Sequence, residues 1–349
     1  MSESPRATVA RDRRLRDATP MDATVATPAS GQPRWHGHPY NRAALYRLAE
    51  ALSVVPRGVR LALARQVGRL APRLLPAERR AVQKALALIT GTAGERLDAL
   101  TVALFRDFAA CFADLVSTNR RSAAQLAGLL GTVTGAEHFD GAPGGLVSIT
   151  AHVGNWELAG RLLANRLARP THVVVSPEEA PELERWVRRD GEGVRFVPRG
   201  RPSVGVELVA ALRRGEVVAL QGDRALGNGA DVWMPFFGVP APFPLGPFLL
   251  ARAAGVPVVP AFCVLDGRDR YDVRIAAPIG VGRGEEKTAA RAWVAVLEGV
   301  VRAHPTQWFN FFDVWNPFGA PSVGAGLGAE SADMRLTGPA GGGDDETRR

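Results

Sequence analysis

Gly145-Leu146-Val147-Ser148-Ile149-Thr150-Ala151-His152-Val153-Gly154-Asn155-Trp156-Glu157 is the stretch on which the fold turns. Leu146–Thr150 is a short apolar run rich in branched residues, the pattern of a buried strand. Gly154 and Asn155 suit a loop, and Asn155 suits the cap of a helix that begins at Trp156. The block predicts strand, turn and helix, with His152 at the carboxyl end of the strand. In one continuous helix, residues five apart sit about 140° apart around the axis and face away from each other. A turn between them instead brings the His152 imidazole and the Glu157 carboxylate together. A carboxylate that keeps one ring nitrogen protonated leaves the other as a general base. Such a pair has no protein nucleophile, so the nucleophile comes from a substrate, for example a hydroxyl. By itself His-x4-Glu is common, and a histidine satisfied by local hydrogen bonds is an equally open reading.

Downstream of this block, short apolar runs alternate with helical patterns. Candidate strands are Leu146–Thr150, Thr171–Val175, Val194–Val197, Val217–Leu220, Val256–Leu265 and Tyr271–Ala276. Candidate helices are Trp156–Leu167, Pro181–Asp190, Val204–Arg214, Leu245–Ala254 and Lys287–Ala303. This alternation predicts an α/β fold with a mainly parallel central sheet flanked by helices. Ligands in such folds sit at the carboxyl ends of strands, where His152 falls.

Upstream, from Asn41 to about Leu130, the pattern is helical. Leu45, Leu48, Ala49 and Leu52 recur at three- and four-residue spacing, as do Val59, Leu63, Val67, Leu70 and Leu74. A third run, Leu97–Leu115, is apolar enough to read as core. The chain carries 43 Lys+Arg against 35 Asp+Glu, a surplus of +8. Between Arg42 and Arg80 stand nine arginines against two glutamates, Glu50 and Glu78, so most of the surplus has this address. A basic amphipathic helix reads as membrane-surface binding; a solvated helix face is the plainer alternative. The expected organisation is a tail over 1–40, a membrane-facing helical region over 41–130, a catalytic domain over 131–320 and a second tail over 321–349. Both tails are read as disordered, and no secretory signal is expected at the start. Phe243–Leu265 is long enough to span a bilayer, but Pro244, Pro247, Pro257 and Pro260 break it, which predicts a short helix followed by a buried strand.

The motifs that are missing narrow the chemistry. Cys111 and Cys263 lie in apolar runs and read as buried free thiols. No GxSxG elbow, P-loop or GxGxxG run occurs, so serine-hydrolase, kinase and dinucleotide readings lack support. His36 and His38 have no Cys or carboxylate neighbour; no metal site is expected. The basic segment lacks interleaved aromatics, and no nucleic-acid partner is expected.

Further blocks follow His152 in order: Gly193-Val194-Arg195-Phe196-Val197-Pro198-Arg199, Gln221-Gly222-Asp223-Arg224 and Val256-Pro257-Val258-Val259-Pro260. The series resembles the four motifs of the glycerophosphate/lysophospholipid acyltransferase superfamily. His-Val-Gly-Asn-Trp-Glu, the Pro235-Phe236-Phe237-Gly238 turn and the closing Trp308–Trp315 cluster resemble the bacterial lipid A lauroyl/myristoyl acyltransferases and the related phosphatidylinositol mannoside acyltransferases. The likeness covers roughly residues 42–318.

The resemblance implies a glycerophosphate acyltransferase-like fold with an N-terminal membrane-associating extension. The implied reaction moves a fatty acyl chain from acyl carrier protein or coenzyme A to a hydroxyl of a membrane lipid or glycolipid, without a further cofactor. The implied location is the cytoplasmic face of the inner membrane. It makes His152 the base, Glu157 its orienting partner and Asp223 an electrostatic support. Arg199 and Arg224 become anion-binding residues, and Asn155 and Gln221 join them in the substrate site. Gln221 and Asp223 stand where the superfamily has Glu and Thr, so Asp223 and Arg224 read equally as halves of a structural ion pair. Backbone N–H groups of Gly154–Trp156 are candidates to hold the oxyanion. Trp233, Phe236, Phe237 and Phe243 are candidates to line an acyl pocket, or else are ordinary core. The alternatives are a lipid hydrolase or thioesterase using the same dyad, and a non-catalytic binder of anionic lipid.

Overall fold

The computed structural model describes residues 51, 54–118, 121–159, 169–175, 193–227 and 229–318. Both expected tails, the Leu45–Leu52 run, the Pro181–Asp190 helix and most of Trp156–Leu167 lie outside them.

Three helices come first: α1 (Arg57–Leu74), α2 (Pro76–Thr90) and α3 (Gly94–Thr118). Pro76 opens α2, where its missing N–H costs no helical bond, and Gly91 closes it in the left-handed region at φ 66°. The short helix α4 (Ala123–Ala127) starts on a capping box in which the Ser122 hydroxyl accepts from Gln125 N–H. Then follow β1 (Leu130–Thr134), α5 (Glu137–Asp140), β2 (Leu146–Thr150), β3 (Thr171–Val175) and β4 (Val194–Pro198). The chain continues through α6 (Val204–Arg213), β5 (Val217–Gln221), β6 (Asp231–Phe236), β7 (Val239–Pro244) and α7 (Gly246–Ala254). It closes with β8 (Val258–Leu265), β9 (Tyr271–Ile275) and α8 (Glu286–Ala303).

Seven strands form one sheet in the order β1-β9-β8-β2-β5-β3-β4. Every neighbouring pair is parallel except β8 with β9. Strand β2 lies between β5 and β8, so the strand that ends at His152 is central. Leu146–Ile149 are buried and Thr150 is half-buried, as expected of a parallel strand covered on both faces. Along β8 the alternation of side chains splits the core in two. Val258, Phe262 and Val264 pack with α8, while Val259, Ala261, Cys263 and Leu265 pack with α1 and α3.

Two expectations change here. The helical pattern runs to about Leu130, with no strand expected after it before Leu146; Leu130–Thr134 is an edge strand paired with β9, where tertiary pairing overrides a weak local pattern. Residues 231–244 form a two-stranded hairpin. Its tip, Phe237-Gly238, holds both residues at positive φ (51° and 79°), the geometry of a tight two-residue hairpin turn. Phe237 bears that conformation because α8 grips it: its N–H donates to Glu298, and the Arg302 guanidinium lies 5.0 Å from its ring centre. Phe243–Leu265 resolves into the end of β7, then α7 and β8. Among the described residues no helix is long and apolar enough to cross a membrane.

Candidate active site

Strand β2 ends at Thr150 and delivers His152 into a turn clasped from two sides. Gly154 N–H donates to the Gln307 carbonyl at 2.8 Å, and Asn155 N–H donates to the Cys263 carbonyl at 2.8 Å. Phe309 N–H donates to the His152 carbonyl at 2.7 Å. Gly154 has φ 59°, and a Cβ there would meet the Cys263 carbonyl oxygen at 2.1 Å, so only glycine fits. The helix starts at Trp156, whose ring sits edge-on to the His152 ring at 4.9 Å.

The His152 ring is bonded through Nδ1 to Asp223 Oδ1 at 2.7 Å. The other oxygen, Oδ2, accepts from His152 N–H (3.0 Å), Trp308 Nε1 (3.0 Å) and Asn310 Nδ2 (3.3 Å). Asp223 is wholly buried. Burial by itself pushes its pKa up. The charge and hydrogen bond of His152, the charge of Arg224 and the His152 backbone N–H outweigh that and hold it well below the usual carboxylate range. The carboxylate is therefore ionised, which fixes the proton on Nδ1 and makes Nε2 the basic nitrogen. Parallel pairing of β2 with β5 brings Thr150 beside Gln221, which carries Asp223 to His152 from 71 residues away. Gly222 permits the approach: a Cβ there would lie 2.5 Å from Ile149 Cδ1, and its carbonyl accepts from Trp293 Nε1.

The other expected residues divide. Glu157 stands half-buried in the first turn of the helix. Gln221 is exposed at the carboxyl end of β5. Arg199 follows β4, its N–H donating to the Val175 carbonyl at 2.9 Å; its guanidinium is half-buried and has no hydrogen-bonded or ion-paired partner among the described residues. Burial lowers its pKa, and the charge of Asp231 pulls it back in part. Arg224 is held inward, with Nε donating to Asn310 Oδ1 (2.7 Å) and Nη2 to the Phe309 carbonyl (2.9 Å), over the Phe312 ring. Asn155 gives its side-chain N–H groups to the Cys111 carbonyl and the Tyr271 hydroxyl, both at 3.2 Å.

Three of the expected acyl-pocket aromatics pack on one another, Phe236 against Phe237 and Phe243. Phe236 and Phe243 are fully enclosed, and Phe236 packs on Trp308 and Trp315. Trp233 is 59% exposed on the hairpin, and Phe237 is at its tip. A cavity of about 310 Å³ lies instead between α1 and α3, walled by Leu63, Val67, Phe105, Phe108, Phe112 and Phe311. Phe108 packs edge-on against Phe309, whose N–H bonds the His152 carbonyl.

Trp308 and Asn310 were legible only as members of the closing Trp308–Trp315 cluster. The polar atoms within that cluster, the indole N–H and the amide, were the available signal. Both cysteines are buried and free, and burial raises both thiols well above the usual range. Among the described residues no three His, Cys, Asp or Glu side chains gather to hold a metal ion.

Residues 43–316 match the family of bacterial lipid A biosynthesis acyltransferases. The chain is also similar to the phosphatidylinositol mannoside acyltransferase of Mycobacterium tuberculosis, in strains CDC 1551 / Oshkosh and ATCC 25618 / H37Rv. Each is 30% identical over 206 residues, which cover 56% of this chain and 63% of the relative. The aligned part thus spans somewhat under two thirds of these relatives.

Proposed function

The chain belongs to the bacterial lipid A biosynthesis acyltransferase family, and from that premise we propose that it moves a fatty acyl chain from a thioester to a hydroxyl of a membrane lipid or glycolipid. The thioester is that of acyl carrier protein or coenzyme A, and no further cofactor takes part. The observation that carries this reading is the 2.7 Å bond from Nδ1 of His152 to a buried, ionised Asp223. His152 Nε2 takes the proton of the acceptor hydroxyl as its oxygen attacks the thioester carbonyl. The tetrahedral intermediate collapses, the carbon–sulfur bond breaks, and the proton passes from the imidazolium to the departing thiolate. Asp223 stabilises the imidazolium while it lasts, taking the orienting role that spacing suggested for Glu157. Glu157 adds a second carboxylate close behind His152 in the chain.

Of the three amides expected to meet the oxyanion, those of Gly154 and Asn155 are bonded to carbonyls. Trp156 N–H opens the helix, where first-turn amides lack helical acceptors, and is the remaining candidate. Arg199 binds an anionic group of a substrate, since a half-buried guanidinium with no ion-paired partner among the described residues suits a phosphate. Arg224 instead fixes the Phe309–Asn310 segment against Asp223.

We place this action at the cytoplasmic face of a membrane; two observations support the membrane surface, though not the side. Val59, Leu63, Val67, Leu70 and Leu74 form a stripe along the outward face of α1, each more than half exposed. Arg69 and Arg73, both exposed, flank it on one side. An exposed apolar stripe beside arginines suits an anionic lipid surface. The cavity beneath the stripe offers apolar volume for an acyl chain.

The test is mass spectrometry of lipid products from the purified chain given palmitoyl-coenzyme A and a phosphatidylinositol mannoside, the acceptor class named for the relatives. Acylated glycolipid from the wild type and none from His152→Ala supports the reading. Free fatty acid formed equally with and without lipid identifies a hydrolase instead.

A further inference from the structure

A buried polar chain runs from the first turns of α1 to the His152 turn. Arg57 donates through Nε and Nη2 to Asp114 on α3, and Arg60 donates through Nη2 to the same carboxylate and to Ser117 Oγ. Asp114 also accepts from the Tyr271 hydroxyl at 3.0 Å, at the start of β9. That hydroxyl accepts in turn from Asn155 Nδ2. Asp114, Tyr271 and Asn155 are all buried.

Three features make this more than incidental packing. A buried carboxylate and a phenol are costly to desolvate unless their bonds are met, and each link here is met by the next. The chain joins four separate pieces of structure: α1, α3, β9 and the turn. At its last link it holds the residue three positions after the proposed base, whose backbone and side chain are both anchored. The turn's own backbone bonds fix Gly154 and Asn155 to β8 and to residue 307, while the Asn155 side chain ties it by hydrogen bonds to α3 and β9.

We propose that Asp114, Tyr271 and Asn155 are positioning residues, through which the seating of α1 sets the geometry of the His152 turn. None of them touches the reacting atoms. This rests on the acyl-transfer reading for its kinetic consequence, but the structural coupling can be measured without it.

The decisive variant is Tyr271→Phe in the full chain, because it keeps the ring and removes only the hydroxyl. Amide hydrogen exchange of Gly154 and Asn155 is expected to rise about tenfold, the effect of one lost hydrogen bond. Exchange of Val147, in the middle of β2, stays at the wild-type rate. Asp114→Asn, at the far end of the chain, is expected to loosen the same two amides. With palmitoyl-coenzyme A and the glycolipid acceptor, kcat of Tyr271→Phe falls about tenfold while KM for the thioester holds. Wild-type exchange at Gly154 and Asn155 in Tyr271→Phe overturns the proposal. So does an equal rise at Val147, which marks general loosening. A wild-type chain that transfers no acyl group defeats the functional reading alone, since the exchange result stands by itself.

Discussion

Asp114 and Asp223 are both wholly enclosed carboxylates, yet they organise two different regions. Asp114, between α1 and α3, faces the guanidinium groups of Arg57 and Arg60, whose charge is permanent across the accessible pH range. Asp223, at the carboxyl end of the sheet, faces an imidazole, which can gain and lose a proton. A carboxylate paired with a fixed charge holds structure together. The same group paired with a titratable ring can stabilise a charge that appears and disappears, which is what a base needs during turnover. Surroundings follow the same division. The helical region turns an apolar stripe outward, whereas the sheet end aims its polar groups at a central strand.

The strongest way to break this comparison is to remove the two partners of Asp223 and Asp114 in turn. His152→Ala is expected to lower acyl transfer by about 10²–10⁴-fold with the fold intact by circular dichroism. Asp223→Asn should approach that loss, and Glu157→Gln should cost less; equal losses for the two would undo the assignment of Asp223 as the orienting group. Asp114→Ala is expected to lose about 3–5 kcal/mol of stability in urea unfolding, because it removes the carboxylate that pairs two guanidinium groups, and to lower acyl transfer less than His152→Ala does. Arg199→Ala should leave stability unchanged and raise KM for the anionic substrate about tenfold, measured by steady-state kinetics. On the helical side, Leu63→Asp with Val67→Asp should weaken flotation with phosphatidylglycerol vesicles about tenfold or more without lowering the melting temperature, since both side chains are already exposed.

The smallest effect is in acid. The depressed pKa of Asp223 contributes stability that is complete above about pH 4, the unfolded carboxylate value, and is lost as pH falls toward the folded value. Urea unfolding between pH 3 and 7 should show this slope, and Asp223→Asn should flatten it.

Much of this was readable in the chain itself. Leu146–Thr150 followed by Ala-His-Val-Gly-Asn-Trp-Glu announced a buried strand, a turn and a helix, because strand and turn preferences are local. Eight of the later helices and strands fell within a residue or two of their expected limits for the same reason: β3, β4, α6, β5, α7, β8, β9 and α8. The β6–β7 hairpin was missed because Trp233–Phe243 is uniformly apolar and proline-rich, and its turn puts a phenylalanine at positive φ only with help from Glu298 and Arg302. The apolar run of α1 was legible as a helix face but not as the outward one. Periodicity marks a stripe without saying which side the neighbours cover.

Local order alone determined the parallel α/β pattern, the place of His152 at a strand end and the arginine-rich helices before it. Tertiary structure brought a distant carboxylate, Asp223, to the imidazole. Spacing favours Glu157, five residues away, but strand pairing sets Thr150 beside Gln221, and that register places Asp223 within 2.7 Å of Nδ1. Hydrogen bonding between strands distant in sequence has no local signature, because it depends on which edges the whole sheet brings together.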